Sequence, residues 1–529
     1  MGRSFYPAAS APVIEDWTAQ NRFYHAASDR WYEMTRRQGR LWVGRYRLDP
    51  AGRRIQPLER EAHYIMGSGA RARSYLHRYP DGGMIELPVA WYSQEKRWGM
   101  APGYDRPNHP DFSRAITHKC MFCHNAYPNV APGADRQGFD ENPRFPAPVP
   151  HGIDCGRCHG AGPDHATLVN PARLPPDRQL DVCQQCHLET TTFRLPDSYR
   201  RFGRGFYSYR PGQPLSEYIV HFDHAAGRGW EDKFEIVSAA YRLRQSACFL
   251  RSNGGLTCTT CHDPHNARLR PACASCHPGA HRAAEDCASC HMPKRRTEDV
   301  VHIVMTDHRI QRGPPPADLL APRPEKTDAE QAYRSPVVLY QSLDDPLRDV
   351  YLGIAQVKEK ANLSAGVELL TRALARARPP YPEPWFELAE AQAALGRREA
   401  ALQSYRRALE ADAGFVQAHN NLANLLAAMG RRREALNHYR RALRIDPGSA
   451  VTHTNLGLTL VELGDRAAAE TSFRQAILAN PDYAEARLNL GALLLGRGRL
   501  GEARMELEKA LELDPANAKA RGNLDLLAR

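Results

Sequence analysis

Cys258-Thr259-Thr260-Cys261-His262-Asp263-Pro264-His265 is the stretch whose reading decides how the rest of the chain is understood. Its core, two cysteines three positions apart with a histidine directly after the second, occurs five more times. The other copies are Cys120-Met121-Phe122-Cys123-His124, Cys155-Gly156-Arg157-Cys158-His159, Cys183-Gln184-Gln185-Cys186-His187, Cys273-Ala274-Ser275-Cys276-His277 and Cys287-Ala288-Ser289-Cys290-His291. Two thiols at this spacing can form thioethers to both vinyl groups of one haem, and the next histidine is then carried under the iron as its proximal ligand. A zinc ribbon instead needs cysteine pairs gathered in fours and has no use for a histidine after every pair. A redox dithiol needs one pair, not six. The spacing therefore predicts six covalently attached haems c, with His124, His159, His187, His262, His277 and His291 as proximal iron ligands.

Around these motifs, residues 105–312 lose regular periodicity, and Gly, Pro, Cys and His dominate. Such a segment must draw its core from something other than side-chain packing, and six macrocycles supply it. Of 13 cysteines only Cys248 lies outside the pairs, and it reads as an inert, buried thiol. The formal net charge is +11. From Glu383 onward there are 20 Lys and Arg against 19 Asp and Glu, so the surplus lies before that point, with the cysteines. Six ferric haems with their propionates add about −6 and offset most of it. No basic helix with base-reading polar residues accompanies the surplus, which speaks against a nucleic-acid partner. No apolar run approaches the ~18 residues of a membrane span.

The sixth ligand decides whether a haem passes electrons or binds a substrate. Nine histidines in or beside the haem region are candidate distal ligands: His118, His151, His165, His221, His224, His265, His281, His302 and His308. They suffice for two histidines on each of six irons. The last three motifs fit between Cys258 and His291, so their haems are expected to lie close together as a contiguous electron relay.

The flanks have a different character. Residues 1–104 hold no cysteine and alternate in polarity through Leu41–Leu48, with turn signals at Asp49-Pro50-Ala51-Gly52 and Tyr79-Pro80-Asp81-Gly82-Gly83. This predicts a small antiparallel β part. Residues 313–345 begin with Gly313-Pro314-Pro315-Pro316 and read as an extended linker. Beyond it, Gly396, Gly430, Gly464 and Gly498 recur every 34 residues. Leu388, Leu422, Leu456 and Leu490 keep the same period, as do Ala401, Ala435, Ala469 and Ala503, and Pro447, Pro481 and Pro515. These positions resemble the tetratricopeptide repeat over residues 346–529, with a degenerate copy at Ala365–Leu374. His419 and His453 stand where Trp385 does in its repeat and read as packing or groove residues. The predicted fold is mainly α with a small N-terminal β part: a β-containing region (1–104), a multihaem cytochrome c domain with little regular structure (105–312), a linker (313–345) and an α-solenoid (346–529).

His151-Gly152-Ile153-Asp154-Cys155-Gly156-Arg157-Cys158-His159-Gly160, Cys258–His265, and Cys290-His291-Met292-Pro293 with Thr306-Asp307-His308-Arg309-Ile310 resemble the cytochrome c554-like multihaem proteins with C-terminal tetratricopeptide repeats. Relatives of that haem arrangement include electron carriers of nitrogen metabolism and nitrite- or hydroxylamine-converting enzymes. The resemblance implies a secretion signal and a further haem motif upstream of Met1, so a longer N-terminal segment and a periplasmic or other extracytoplasmic location are expected.

The predicted function is electron transfer through six haems between a redox protein donor and acceptor, with the repeats docking a protein or peptide and no residue assigned a catalytic role. The alternative is an oxidoreductase acting on nitrite, hydroxylamine or a sulfur oxyanion at a five-coordinate haem. Arginines and tyrosines of Arg201–Arg210 could serve such a site, or form a structural loop.

Overall fold

The computed structural model describes residues 4–15, 17, 21–131, 134–135, 143–160, 168–192, 195–266, 268–269, 273, 277, 287–313, 318–327 and 329–527. Strands come first: β1 (Phe5–Pro7), β2 (Arg22–His25), β3 (Arg30–Arg37), β4 (Arg40–Leu48), β5 (Arg54–Ala62), β6 (Tyr64–Met66), β7 (Ala72–Arg78), β8 (Met84–Tyr92), β9 (Arg97–Met100) and β10 (Arg114–Ala115). One sheet has the order β2-β3-β4-β5 and another the order β1-β6-β7-β8-β10, with β9 also on β8. The turns predicted at Asp49–Gly52 and Tyr79–Gly83 join β4 to β5 and β7 to β8. In the second, Tyr79 N donates to the Gly83 carbonyl (2.8 Å), and Gly82 takes a φ of +95° that a residue with a Cβ rarely adopts. All nine residues of β8 are buried, which makes it the centre of its sheet.

The motif region is built from short helices and short strand pairs. In chain order these are α1 (His118–His124), α2 (Gly156–His159), α3 (Pro176–His187), β11 (Ser198–Arg200), β12 (Ile219–His224), α4 (Ala239–Arg244), α5 (Ala247–Arg251), α6 (Cys258–Cys261), β13 (His262–Asp263), β14 (Arg268–Leu269), α7 (Cys287–His291), β15 (Lys294–Arg296) and β16 (Val304–Thr306). Strand β17 (Val337–Leu339), from the proline-rich segment, pairs antiparallel with β12. An apolar cluster of Phe5, Leu76, Met84, Ile116, Met121, Phe122, Phe145, Val149 and Tyr207 packs against Cys120, Cys123 and Cys186. Cys248 in α5 is half-buried.

The C-terminal helices are α8 (Arg348–Val357), α9 (Leu363–Ala377), α10 (Glu383–Ala394), α11 (Arg398–Ala411), α12 (Val416–Ala428), α13 (Arg432–Ile445), α14 (Ala450–Glu462), α15 (Arg466–Ala479), α16 (Ala484–Leu495), α17 (Leu500–Leu513) and α18 (Ala518–Leu527). From α10 onward they pair as helical hairpins. Each first helix ends where Gly396, Gly430, Gly464 or Gly498 takes a φ between +72° and +85°, the left-handed C-terminal cap. Where two helices cross, side-chain room vanishes: a Cβ on Gly457 would sit 2.6 Å from Phe473 Cε1, and one on Gly491 2.7 Å from Leu507 Cγ. Ala401, Ala435, Ala469 and Ala503 are fully buried at the repeat period, so small residues set the interhelical distance and Tyr405, Tyr439 and Phe473 fill the gaps.

Backbone packing divides the chain into two compact units. The first holds residues 1–29, 33–43 and 60–362; the second holds 30–32, 44–59 and 363–529. Every Cys-x-x-Cys-His motif lies in the first unit.

Candidate functional site

Each described motif sits on a helical turn: α1, α2, α3, α6 and α7 carry the first, second, third, fourth and sixth. Of the fifth, Cys273 and His277 are described, while Cys276 lies outside the described residues. The described cysteines are all free. Thiols from different motifs meet: Cys123 shares a hydrogen bond with Cys186, and this together with burial pushes the Cys123 pKa up. Cys183 meets Cys258 in the same way.

Three motifs are joined by one side chain. Arg157, an intervening residue of the second motif, is 1% exposed. Its Nη2 donates to the Phe122 carbonyl in the first motif (2.7 Å) and to Gln185 Oε1 in the third (3.1 Å). Gln185 Nε2 donates back to the Arg157 carbonyl (2.9 Å). The guanidinium carbon lies 4.2 Å from the Phe122 ring centroid and 4.7 Å from that of Tyr127, two cation–π contacts. Nothing in the sequence pattern marks this residue, because the motif leaves its position open.

Two of the histidines predicted as proximal ligands, His159 and His291, share one arrangement. His159 Nδ1 donates to the Val169 carbonyl (2.8 Å), while Val169 N donates to the His159 carbonyl (2.8 Å). The sixth motif repeats this clamp: His291 Nδ1 to the Gln311 carbonyl (2.6 Å) and Gln311 N to the His291 carbonyl (2.8 Å). A carbonyl only accepts, so Nδ1 carries the proton and Nε2 keeps its lone pair, as a ligating imidazole requires. Burial lowers the pKa of His124 to about 4, with the charge of His187 adding to it, and burial also lowers His187 and His262. A neutral ring is the form that binds a metal.

The candidate distal histidines separate into groups. His265 faces His159 with ring centroids 5.9 Å apart and planes 21° from parallel. His308 faces His262 at 6.0 Å and 25°, and its Nδ1 is tied to the Thr306 carbonyl (3.0 Å). His118 is 3% exposed in α1; its Nδ1 lies 3.1 Å from Tyr207 Oη, and its Nε2 is buried with no hydrogen-bond partner.

The other candidates are elsewhere. His221 and His224 lie in β12; burial lowers His221 to about 4, and His224 stacks on Trp230 at 4.9 Å. His302 packs on Tyr92 (4.9 Å), and its Nε2 is 3.6 Å from Asp105 Oδ2. His151 is exposed. His165 and His281 lie outside the described residues, as do Pro314–Pro316 of the linker.

The arginines of the loop Arg201–Arg210 are spent on structure. Arg201 pairs with Asp345, Arg204 lies over the Tyr218 ring, and Arg210 Nη1 donates to the Tyr207 and Tyr209 carbonyls.

A haem held by two cysteines and a histidine asks for thiols on one helical turn and an Nδ1-tethered imidazole. The second motif meets each of these requirements, and the sixth repeats the clamp. Among the described residues no three His, Cys, Asp or Glu side chains converge on one metal-ion position. No described helix is long and apolar enough to cross a membrane.

In the repeats, His419 is 4% exposed, its Nε2 is 3.1 Å from the Ala413 carbonyl, and its Nδ1 lies 3.0 Å from His438 Nδ1. His453 Nε2 is 3.1 Å from the Pro447 carbonyl. At the Trp385 position His419 is therefore a packing residue, whereas His453 is only half-buried.

Tetratricopeptide-repeat models match residues 382–415, 415–477 and 454–518. Among solved structures, a thermophilic tetratricopeptide-repeat protein of Thermus thermophilus is similar at 28% identity, covering 35% of this chain and 99% of that one, with a TM-score of 0.32. YrrB, a tetratricopeptide-repeat protein with an unusual peptide-binding site, is similar at 27% identity, covering 30% and 82%, with a TM-score of 0.27. PilF of Pseudomonas aeruginosa stands at 22%, covering 35% and 82%, with a TM-score of 0.32. Comparison with curated proteins gave no match. The C-terminal part of the chain is a tetratricopeptide-repeat solenoid, an architecture whose extended concave surface serves protein–protein interaction, and it follows antiparallel strands at the N-terminus.

Proposed function

We propose that the chain is an extracytoplasmic c-type cytochrome that passes electrons through six covalently attached haems, with the repeat solenoid docking a protein or peptide partner. The observation that carries this reading is the sixfold Cys-x-x-Cys-His motif, supported by the carbonyl clamp on the Nδ1 of His159 and His291. When bound, each haem supplies one-electron chemistry at its iron. The paired cysteines would fasten each haem and the histidine after them would ligate its iron, while Arg157 holds the turns of the first three motifs together. The domain division at 1–104, 105–312, 313–345 and 346–529 is part of this proposal.

The test is a pyridine-haemochrome assay with intact-mass analysis of the full chain made alongside the c-type haem attachment machinery. Six haems per chain support the reading; none overturns it.

A second reading, an oxidoreductase for nitrite, hydroxylamine or a sulfur oxyanion, is favoured by one observation: the buried His118 and Tyr207 pair in the apolar cluster around the first motif. It requires one five-coordinate iron. The ferric spin state decides: a high-spin haem that shifts with added nitrite supports it, and six low-spin haems exclude it.

A further inference from the structure

Helix α3 stands between two other motif turns and offers a thiol to each. Arg157 ties the carboxyl-terminal end of α3, through Gln185, to the first motif. There Cys186 Sγ lies 3.9 Å from the carbonyl oxygen of Phe122, the residue directly before Cys123, and 3.8 Å from Arg157 Nη2. Cys123 and Cys186 share a hydrogen bond, and with Cys120 they pack on one apolar cluster. Earlier on the same helix, one turn before Cys183, Gln179 Oε1 accepts from Thr257 Oγ1 (3.4 Å) and Thr259 Oγ1 (3.1 Å), the residues on either side of Cys258. Cys183 and Cys258 share a hydrogen bond. All four thiols are free and half-buried, within reach of a small reagent.

We propose that oxidation of the chain before haem attachment joins Cys123 to Cys186 and Cys183 to Cys258, two disulfides that staple the first, third and fourth motifs together and keep them from haem until they are reduced. Sulfurs already in hydrogen-bond contact need only the closing movement to a bond of about 2.05 Å. Arg157 on one side and Gln179 on the other keep each thiol beside its partner from another motif. The oxidant is a disulfide, of low molecular weight or of a protein. One cysteine thiolate attacks a sulfur of the oxidant and releases the first thiol; the second cysteine attacks the mixed disulfide and releases the other. Two electrons and two protons thus pass from each cysteine pair to the two thiols of the spent oxidant. The extracytoplasmic location proposed above is an oxidising one. The bridges themselves need no haem, and only their consequence for loading rests on the haem reading: a bridged sulfur cannot form a thioether. Because the third motif gives one cysteine to each bridge, it stays closed until both are opened.

The experiment uses the full chain made without the haem attachment machinery, purified under reductant and then transferred to oxidised glutathione. Remaining thiols are alkylated, and the chain is digested with trypsin and analysed by mass spectrometry without reduction. Trypsin leaves both cysteines of each of these motifs on one peptide, residues 120–136, 179–194 and 252–268. The expected product is one species made of all three peptides, two hydrogen atoms lighter per bridge than its separate parts, with Cys120 and Cys261 alkylated. Cys186→Ser is expected to leave peptide 179–194 joined to 252–268 alone, and Cys183→Ser to leave it joined to 120–136 alone.

Disulfides confined within single motifs, bridges to other partners, or no disulfide at all would overturn the proposal, and none of these results bears on haem binding. The same digest of the chain matured with the attachment machinery separates the two readings. Peptides that carry haem are expected to be absent from the three-peptide species. A matured chain that holds no covalent haem and still yields that species would keep the bridges and overturn the haem reading.

Discussion

Removing the carboxylate of Asp307 tests how the segment carrying His308 is held. Asp307 and Arg242 have side chains that are each 1% exposed, and they form a two-bond pair, Arg242 Nε to Oδ1 at 2.9 Å and Nη2 to Oδ2 at 2.6 Å. Asp307 Oδ1 also accepts from Arg309 N (2.9 Å), and Arg295 Nη1 stands 3.7 Å from Oδ2. Asp307→Ala leaves a buried guanidinium without its main anion, which in such pairs costs about 3–5 kcal/mol. Arg242 keeps Asp232, at 2.9 Å on a side chain that is 64% exposed, so the low end applies. The expected loss is about 3 kcal/mol, roughly a hundredfold in the folded-to-unfolded ratio.

Urea titration of the haem-loaded chain by circular dichroism reads this as a lower midpoint of the transition of the motif-bearing unit, with the repeat transition as internal reference. Replacing both partners, Arg242→Met with Asp307→Leu, removes the stranded charge and is expected to recover most of the loss. A single variant within about 1 kcal/mol of the parent, or a double variant no better than the single, would refute the reasoning.

Other consequences are equally open to measurement. Arg157→Leu deletes charge-assisted bonds to Phe122 and Gln185, each worth about 1.5–3 kcal/mol, and is expected to lower stability and the haem count of the first three motifs together; unchanged mass and midpoint would contradict the keystone role. Gly457→Ala gains about 1 kcal/mol of helix propensity but drives a Cβ to 2.6 Å from Phe473 Cε1, an overpacking cost of about 1–3 kcal/mol, so the thermal midpoint of the repeats should fall, and Phe473→Leu in the same chain should reverse the sign.

His438 has a pKa pushed down to about 4 by burial and by the charge of His419 beside it. Between about pH 6.5 and 4 the unfolded chain binds a proton that the folded chain refuses. Stability is therefore full above pH 6.5 and falls as the pH drops, by at most ~3 kcal/mol. His438→Gln should flatten that slope in thermal melts taken from pH 7 to 4, and an unchanged slope would contradict the assignment.

The repeats were the most legible part of the sequence, because their physical cause is itself periodic. Gly396 and its 34-residue equivalents cap a helix through a positive φ, and Ala401 and its equivalents admit a neighbouring helix, so each structural need appears as a residue type at fixed spacing. The N-terminal strands were legible through alternation and turn chemistry, as at Tyr79–Gly83. The Cys-x-x-Cys-His turns of the proposed haem sites stand out in the sequence for a related reason: their spacing is the one a covalently held haem would require.

Which histidine rings come to face one another was not legible, because it depends on which segments meet in space. His302 and His308 are six residues apart and look equivalent in sequence, yet one packs on Tyr92 near Asp105 and the other faces His262. Arg157 and Arg242 were missed for the same reason. Their importance comes from being buried against partners far along the chain, at Phe122, Gln185 and Asp307, and no local pattern records that.

The central claim is that six Cys-x-x-Cys-His motifs hold six haems, and the most direct measurement is the intact mass of the full chain, matured with the haem attachment machinery and combined with its pyridine-haemochrome spectrum. The account predicts a mass excess of six haems that survives denaturation, and a haemochrome typical of thioether-linked haem at six per chain. A chain of unmodified mass that instead carries zinc on its thiol pairs would contradict it.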